Sequence, residues 1–248
     1  MRYEIYFKLF YIILENIMAL PSLTAPEFLT KIPSTGQEIK YRPFLVKEEK
    51  ILLMALEGND QKEITNAIVT TLDNCIEDGV DVNKLATFDV EYLFLKLRSK
   101  SVGEVVELRM SHSTGECKHR TDVDVNIDAI NVTEERPESK IQLNDQIGLK
   151  LRYAGVKDLD GVDVDSSTDL FNLIVDCIEF IYDADDVYSD FTKKELSEWL
   201  DQLSSEQFKK ITDFFENSPK LSHTISWHCA ECGTDDTMTL EGLTSFFM

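Results

Sequence analysis

Cys229 and Cys232 stand three apart and are followed by glycine in the run His228-Cys-Ala-Glu-Cys-Gly233. This spacing turns two sulfurs to one side of a tight turn, and the glycine takes a backbone angle that a side chain resists. Two thiolates are half of a closed structural zinc site, which takes four ligands. Cys117 and His119 offer the other half, in His112-Ser-Thr-Gly-Glu-Cys117-Lys-His119. The expected set is therefore Cys117, His119, Cys229 and Cys232 around a structural Zn2+, with His112 and His228 as rival fourth ligands. The plainer alternative is two reduced cysteines in a turn that bind nothing. A metal here would join points more than a hundred residues apart and clamp the base of an insertion between them.

Other chemistry is hard to find. There is no phosphate loop, no dinucleotide fingerprint and no supported serine-histidine-aspartate set. Zinc with four protein ligands keeps no open position for water, so metal-assisted hydrolysis is not expected. The chain reads as a non-enzyme without a small-molecule substrate. Its formal net charge of −21 argues against nucleic acid and anionic membrane as partners and suits a basic protein partner. Five cysteines without a secretory cleavage pattern read as reduced thiols. Cys75 and Cys177 sit in apolar helical patterns and are expected in the core.

Elements must position the two knuckles. Val105–Met110 and Thr121–Ile127 alternate polar and apolar, as do Leu221–Trp227 and Thr237–Leu240. Each pair makes a β-hairpin with candidate ligands at its tip, the setting of a zinc ribbon. Upstream, Glu38–Phe44 reads as a strand. A helix from Val46 stops at Gly58. A second helix is capped by Asp60 with Glu63 behind it, and a third, Phe88–Ser99, by Thr87. Downstream, Ile147–Tyr153 is a strand. Helices follow over Leu170–Ile181, over Lys193–Leu203 capped by Thr192, and from Ser204-Ser205 through Phe215. Trp199, Phe208, Phe214 and Phe215 form an aromatic stripe expected to pack in a core. Between strand and helices, Asp158-Leu-Asp160-Gly-Val-Asp163-Val-Asp165 resembles a calcium loop but has glycine at the fourth position, valine at the fifth and Asp169 rather than glutamate at the twelfth, so a solvated acidic loop is expected. The fold class is α+β: zinc-ribbon-like β-hairpins with helical blocks, including a helical insertion in the C-terminal half.

The expected organisation is 18–100 as strand and helical block, 101–154 as β region with the first knuckle, 155–220 as acidic loop and helical insertion, and 221–248 as second knuckle and closing strand. Residues 1–17 are aromatic and apolar but carry Glu4, Lys8 and Glu15, too short and charged for a membrane span. Translation from Met18 is the favoured reading, and an amphipathic helix docking on a partner is its rival. Phe246 and Phe247 either pack back on the core or enter a partner.

Ile32-Pro-Ser-Thr-Gly36, Tyr41–Glu49, Lys84–Tyr92, Leu97–Gly103 and the Cys229–Phe247 region resemble the baseplate hub family of T-even-type contractile-tailed bacteriophages, especially its marine cyanophage members. The resemblance runs from about Met18 to the end. It implies a non-catalytic part in baseplate hub assembly, contact with other hub and tail proteins, and residence in the host cytoplasm during assembly and in the tail baseplate. Members often carry cysteine pairs at both knuckles, whereas the first pair here reads Cys117-Lys-His119. The alternatives are a transient hub-assembly chaperone absent from the mature virion, and a zinc-ribbon regulator binding polymerase or nucleic acid.

Overall fold

The computed structural model describes residues 24–58, 60–111, 117–163 and 166–242. The readings made for residues 1–17, for His112, and for Phe246 and Phe247 lie outside them.

The chain first builds a strand pair and three helices. β1 (Phe28–Lys31) and β2 (Glu38–Tyr41) pair antiparallel, with Phe28 opposite Tyr41. α1 spans Val46–Gly58, α2 Gln61–Cys75 and α3 Thr87–Ser101. α2 starts where expected, because the Asp60 carboxylate accepts from the amides of Lys62 (2.8 Å) and Glu63 (3.3 Å). Ile68, Leu72 and Cys75 recur at three- and four-residue steps and are buried. α3 lies deepest, with Leu93, Phe94, Leu95 and Leu97 all enclosed. Thr87 is not its cap. Ala86 holds that position without a side-chain bond, and Thr87 donates both its amide and its hydroxyl to the carbonyl of Ala154, each at 3.0 Å. The threonine is thus taken by a distant chain segment.

α1 is anchored by an ion pair. Arg42 donates to the buried Glu48 carboxylate at 3.0 Å, and Glu48 also accepts from the Leu45 amide at 2.9 Å. Burial works to raise this carboxyl, but Arg42 and the Leu45 amide outweigh it and hold it below its ordinary range. The rest of α1 is poorly covered: Val46, Leu53, Met54 and Leu56 are exposed.

Two hairpins of seven-residue strands follow the helices. β3 (Val105–Ser111) pairs with β4 (Arg120–Asn126), and β9 (Ser222–His228) with β10 (Asp235–Glu241). Alternation turns Met110, Val125, Ile225, Trp227 and Leu240 into the same core as α2 and α3.

Between the hairpins the chain makes a second core. It leaves at Val132 and returns at Leu221, which form an antiparallel bridge; the Thr133 amide donates to the Lys220 carbonyl at 2.9 Å. The neck of the intervening stretch is therefore made by backbone, some way from the cysteines. Inside it, β5 (Lys140–Gln142), β6 (Gly148–Leu151), β7 (Ile178–Tyr182) and β8 (Val187–Tyr188) form one antiparallel sheet in that order. α4 (Ser167–Cys177), α5 (Lys193–Leu200) and α6 (Ser205–Glu216) complete it. Thr192 with Glu195 and Ser204 with Gln207 form full capping boxes. Phe214 is buried, and Trp199, Phe208 and Phe215 pack against the same core.

Helix was expected through Ile181, but it stops at Cys177. Ile178-Glu-Phe-Ile-Tyr182 is rich in β-branched and aromatic residues, and the free edge of β6 is there to receive it. In the acidic stretch, Asp158 binds Arg152 through both oxygens (2.5 and 2.9 Å), and Asp160 pairs with Lys62 at 2.7 Å. Val164 and Asp165 fall outside the described residues.

The two cores meet at Tyr153. Its ring stands edge-on to Phe88 of the first core at 5.0 Å and stacks on Phe214 of the second at 5.1 Å. Helices and mostly local antiparallel sheets make the class α+β, as expected. Among the described residues no helix is long and apolar enough to cross a membrane.

Candidate metal centre

The second knuckle is built by the β9–β10 turn. β9 delivers Cys229 directly after His228, and the chain reverses through Ala230 to Thr234. The Cys229 amide donates to the Thr234 carbonyl at 2.9 Å, and the Gly233 amide donates back to the Cys229 carbonyl at 2.8 Å. Closing this loop requires Gly233 at φ +70°, in the left-handed region. The turn buries Cys229 and leaves Cys232 at the surface.

Cys117 enters from the β3–β4 hairpin, just ahead of Arg120. Its sulfur lies 4.0 Å from that of Cys229, and the sulfurs of Cys117, Cys229 and Cys232 all lie within 4.8 Å of one another. No disulfide joins them. Two sulfurs on a tetrahedral zinc, with Zn–S about 2.3 Å, sit roughly 3.8 Å apart, so the spacing suits a shared ion. The two hairpins bring the trio together because Met110 and Val125 pack in the same core as Ile225 and Trp227.

The electrostatics calls for a cation. The Thr234 hydroxyl, then its amide, hold the Cys232 thiol below its ordinary value. The Cys232 amide, helped by that of Glu231, does the same for Cys229. At Cys117 the His119 amide favours the thiolate, yet partial burial and the other two sulfurs outweigh it and push the thiol up. A cation placed among the three sulfurs would favour all of their thiolate forms together. Three convergent thiolates form a soft donor set that suits zinc and similar metals.

The expected histidines are placed differently. His119 is exposed and its ring is not part of the sulfur group. His228 turns to Asp235 at the opposite strand position, with Nδ1 2.8 Å from the carboxylate. His112 lies outside the described residues. Thr234 was missed in the sequence: the Cys232 thiol reaches its hydroxyl at 3.4 Å, and the ionised sulfur would accept from it instead. A threonine directly after the knuckle glycine was the available signal.

The model of a family described as T4 bacteriophage base plate protein matches residues 25–248. No curated protein and no solved structure matches the chain.

Proposed function

The chain belongs to the T4 bacteriophage base plate protein family, and from that membership we propose that it is a non-catalytic component of the baseplate hub that acts while the hub is built. A baseplate component works in the virion tail, among other tail proteins. The family match, running through both hairpins and both cores, carries the reading. The narrower assignment to the hub draws on the resemblance of Tyr41–Glu49, Lys84–Tyr92 and Cys229–Phe247 to hub proteins.

Two features support a role in assembly. α1 exposes Val46, Leu53, Met54 and Leu56, an apolar face of the kind that marks a protein contact. The sulfur trio would supply rigidity. In this reading Cys117, Cys229 and Cys232 hold a structural Zn2+, with His119 or His112 as fourth ligand. The ion would neutralise the thiolates and fix one hairpin tip to the other, giving partners a stiff platform.

Quantitative mass spectrometry of mature virions beside purified hub intermediates tests the role. A fixed copy number in both is expected. Presence in intermediates alone would replace the structural role by that of a departing assembly chaperone. Absence from both would remove the hub reading.

A further inference from the structure

A groove of about 460 Å³ opens between the sheet edge and α5 in the second core. The rings of Tyr182, Tyr188, Phe191 and Trp199 line it. So do the carboxylates of Asp183, Asp190 and Glu195, and no basic residue is among the lining. The nearest lysines in sequence are engaged elsewhere: Lys193 pairs with Asp176 and Lys194 with Glu198.

The groove is braced. The Tyr182 hydroxyl donates to Gln142 at 3.0 Å, and its ring lies across Gly148, where even a Cβ would come within 2.3 Å of the hydroxyl. Tyr188 donates its hydroxyl to Asp183 at 2.9 Å. Asp183 also accepts from the amides of Asp185 and Asp186, each at 2.9 Å, while Glu195 accepts from the Thr192 amide at 2.8 Å. These bonds favour the charged carboxylates, so the negative charge is fixed in place. Aromatic faces beside carboxylates attract a planar or ammonium cation by ring quadrupole and Coulomb terms together. The volume suits a long side chain with the backbone that carries it, which a bare ion would not fill.

We propose that this groove docks a basic segment of a partner protein, receiving an arginine or lysine side chain between the Tyr188 and Trp199 rings and the Asp190 and Glu195 carboxylates. That the partner is another tail protein rests on the baseplate reading; the cation preference does not.

Calorimetric titration of the full-length protein with a capped tetra-arginine peptide tests the groove, with capped tetra-glutamate beside it. Saturable binding of the arginine peptide alone is expected. Tyr188→Leu and Asp190→Asn should each weaken it by about two- to fivefold. Asp73→Asn removes the same charge from the exposed face of α2 and should leave the affinity unchanged. No binding of tetra-arginine would overturn the proposal. So would an equal loss in all three variants, which would mean general attraction to an acidic surface, or no loss in any. The titration reads the groove alone, and the virion measurement reads the baseplate role alone.

Discussion

Replacing Tyr153 by alanine should uncouple the two cores. Its ring is the shared member of two aromatic pairs, with Phe88 on one side and Phe214 on the other. Each pair contributes about 0.5–1.5 kcal/mol beyond area burial. Loss of the half-buried ring itself adds about 1–2 kcal/mol, so the total is about 3 kcal/mol. For a unit of this size in urea, with a slope of about 2 kcal/mol per molar, that moves a midpoint by about 1.5 M. The chain supplies its own reporters: of its two tryptophans, Trp227 lies in the first core and Trp199 packs against the second. Single-tryptophan variants, Trp199→Phe and Trp227→Phe, would follow each core by fluorescence. With Tyr153 present the two urea curves should superimpose. In the Tyr153→Ala background they should separate, at least one moving by about the amount above. Tyr153→Phe keeps both rings and should hold the curves together. Curves already split with Tyr153 in place would refute the coupling, as would curves that stay superimposed and unmoved in Tyr153→Ala.

Two further outcomes concern the metal and the acid limb of stability. Purified protein should carry about one zinc per chain by elemental analysis; Cys229→Ser should lose it and about 3 kcal/mol, near 10 °C in Tm, and a chelator should do the same to the parent only. A metal-free parent melting at the same temperature would remove the zinc, and comparing His119→Ala with His112→Ala identifies the fourth ligand. Arg152 holds the Asp158 carboxyl below its ordinary range, so its stabilisation is full above the usual aspartate value near 3.9 and drains as pH falls through the folded value. Asp158→Asn should therefore cost about 1–2 kcal/mol at pH 7, after allowing for solvent around Arg152, and progressively less below pH 4. A stability gap between variant and parent that stays constant into acid would contradict that assignment.

Local signals in the chain were the dependable ones. The caps at Asp60, Thr192 and Ser204 mark their helices because capping is decided within three residues. The hairpins were legible because a half-buried antiparallel strand must alternate. Long-range partners decided the rest. Thr87 looks like a cap, but it is the first helical residue, and the Ala154 carbonyl accepts from both its amide and its hydroxyl. Ile178–Tyr182 continues an apolar helical pattern, and only the waiting edge of β6 makes it a strand. Lys140–Gln142 is too short and polar to declare itself before its partner is known. In the candidate site, the cysteine spacing found three of the clustered groups. Histidine positions depend on how a loop closes, which spacing alone does not fix. The groove beside α5 was invisible because its rings and carboxylates come from β7, β8, α5 and the links between them, which only the fold brings to one place.

The backbone bridge between Val132 and Leu221 sets a schedule for synthesis. Every residue of the second core lies between those two points, so that core can close while the ribosome is still making the hairpin that follows. The first core cannot: it needs Ile225, Trp227 and Leu240, all made after the inserted stretch. A nascent chain would thus carry one finished unit and one open unit, with the buried faces of α2 and α3 waiting for β9. Any factor that shields the chain during translation would be needed longest at its N-terminal half, against the usual order in which early residues fold first.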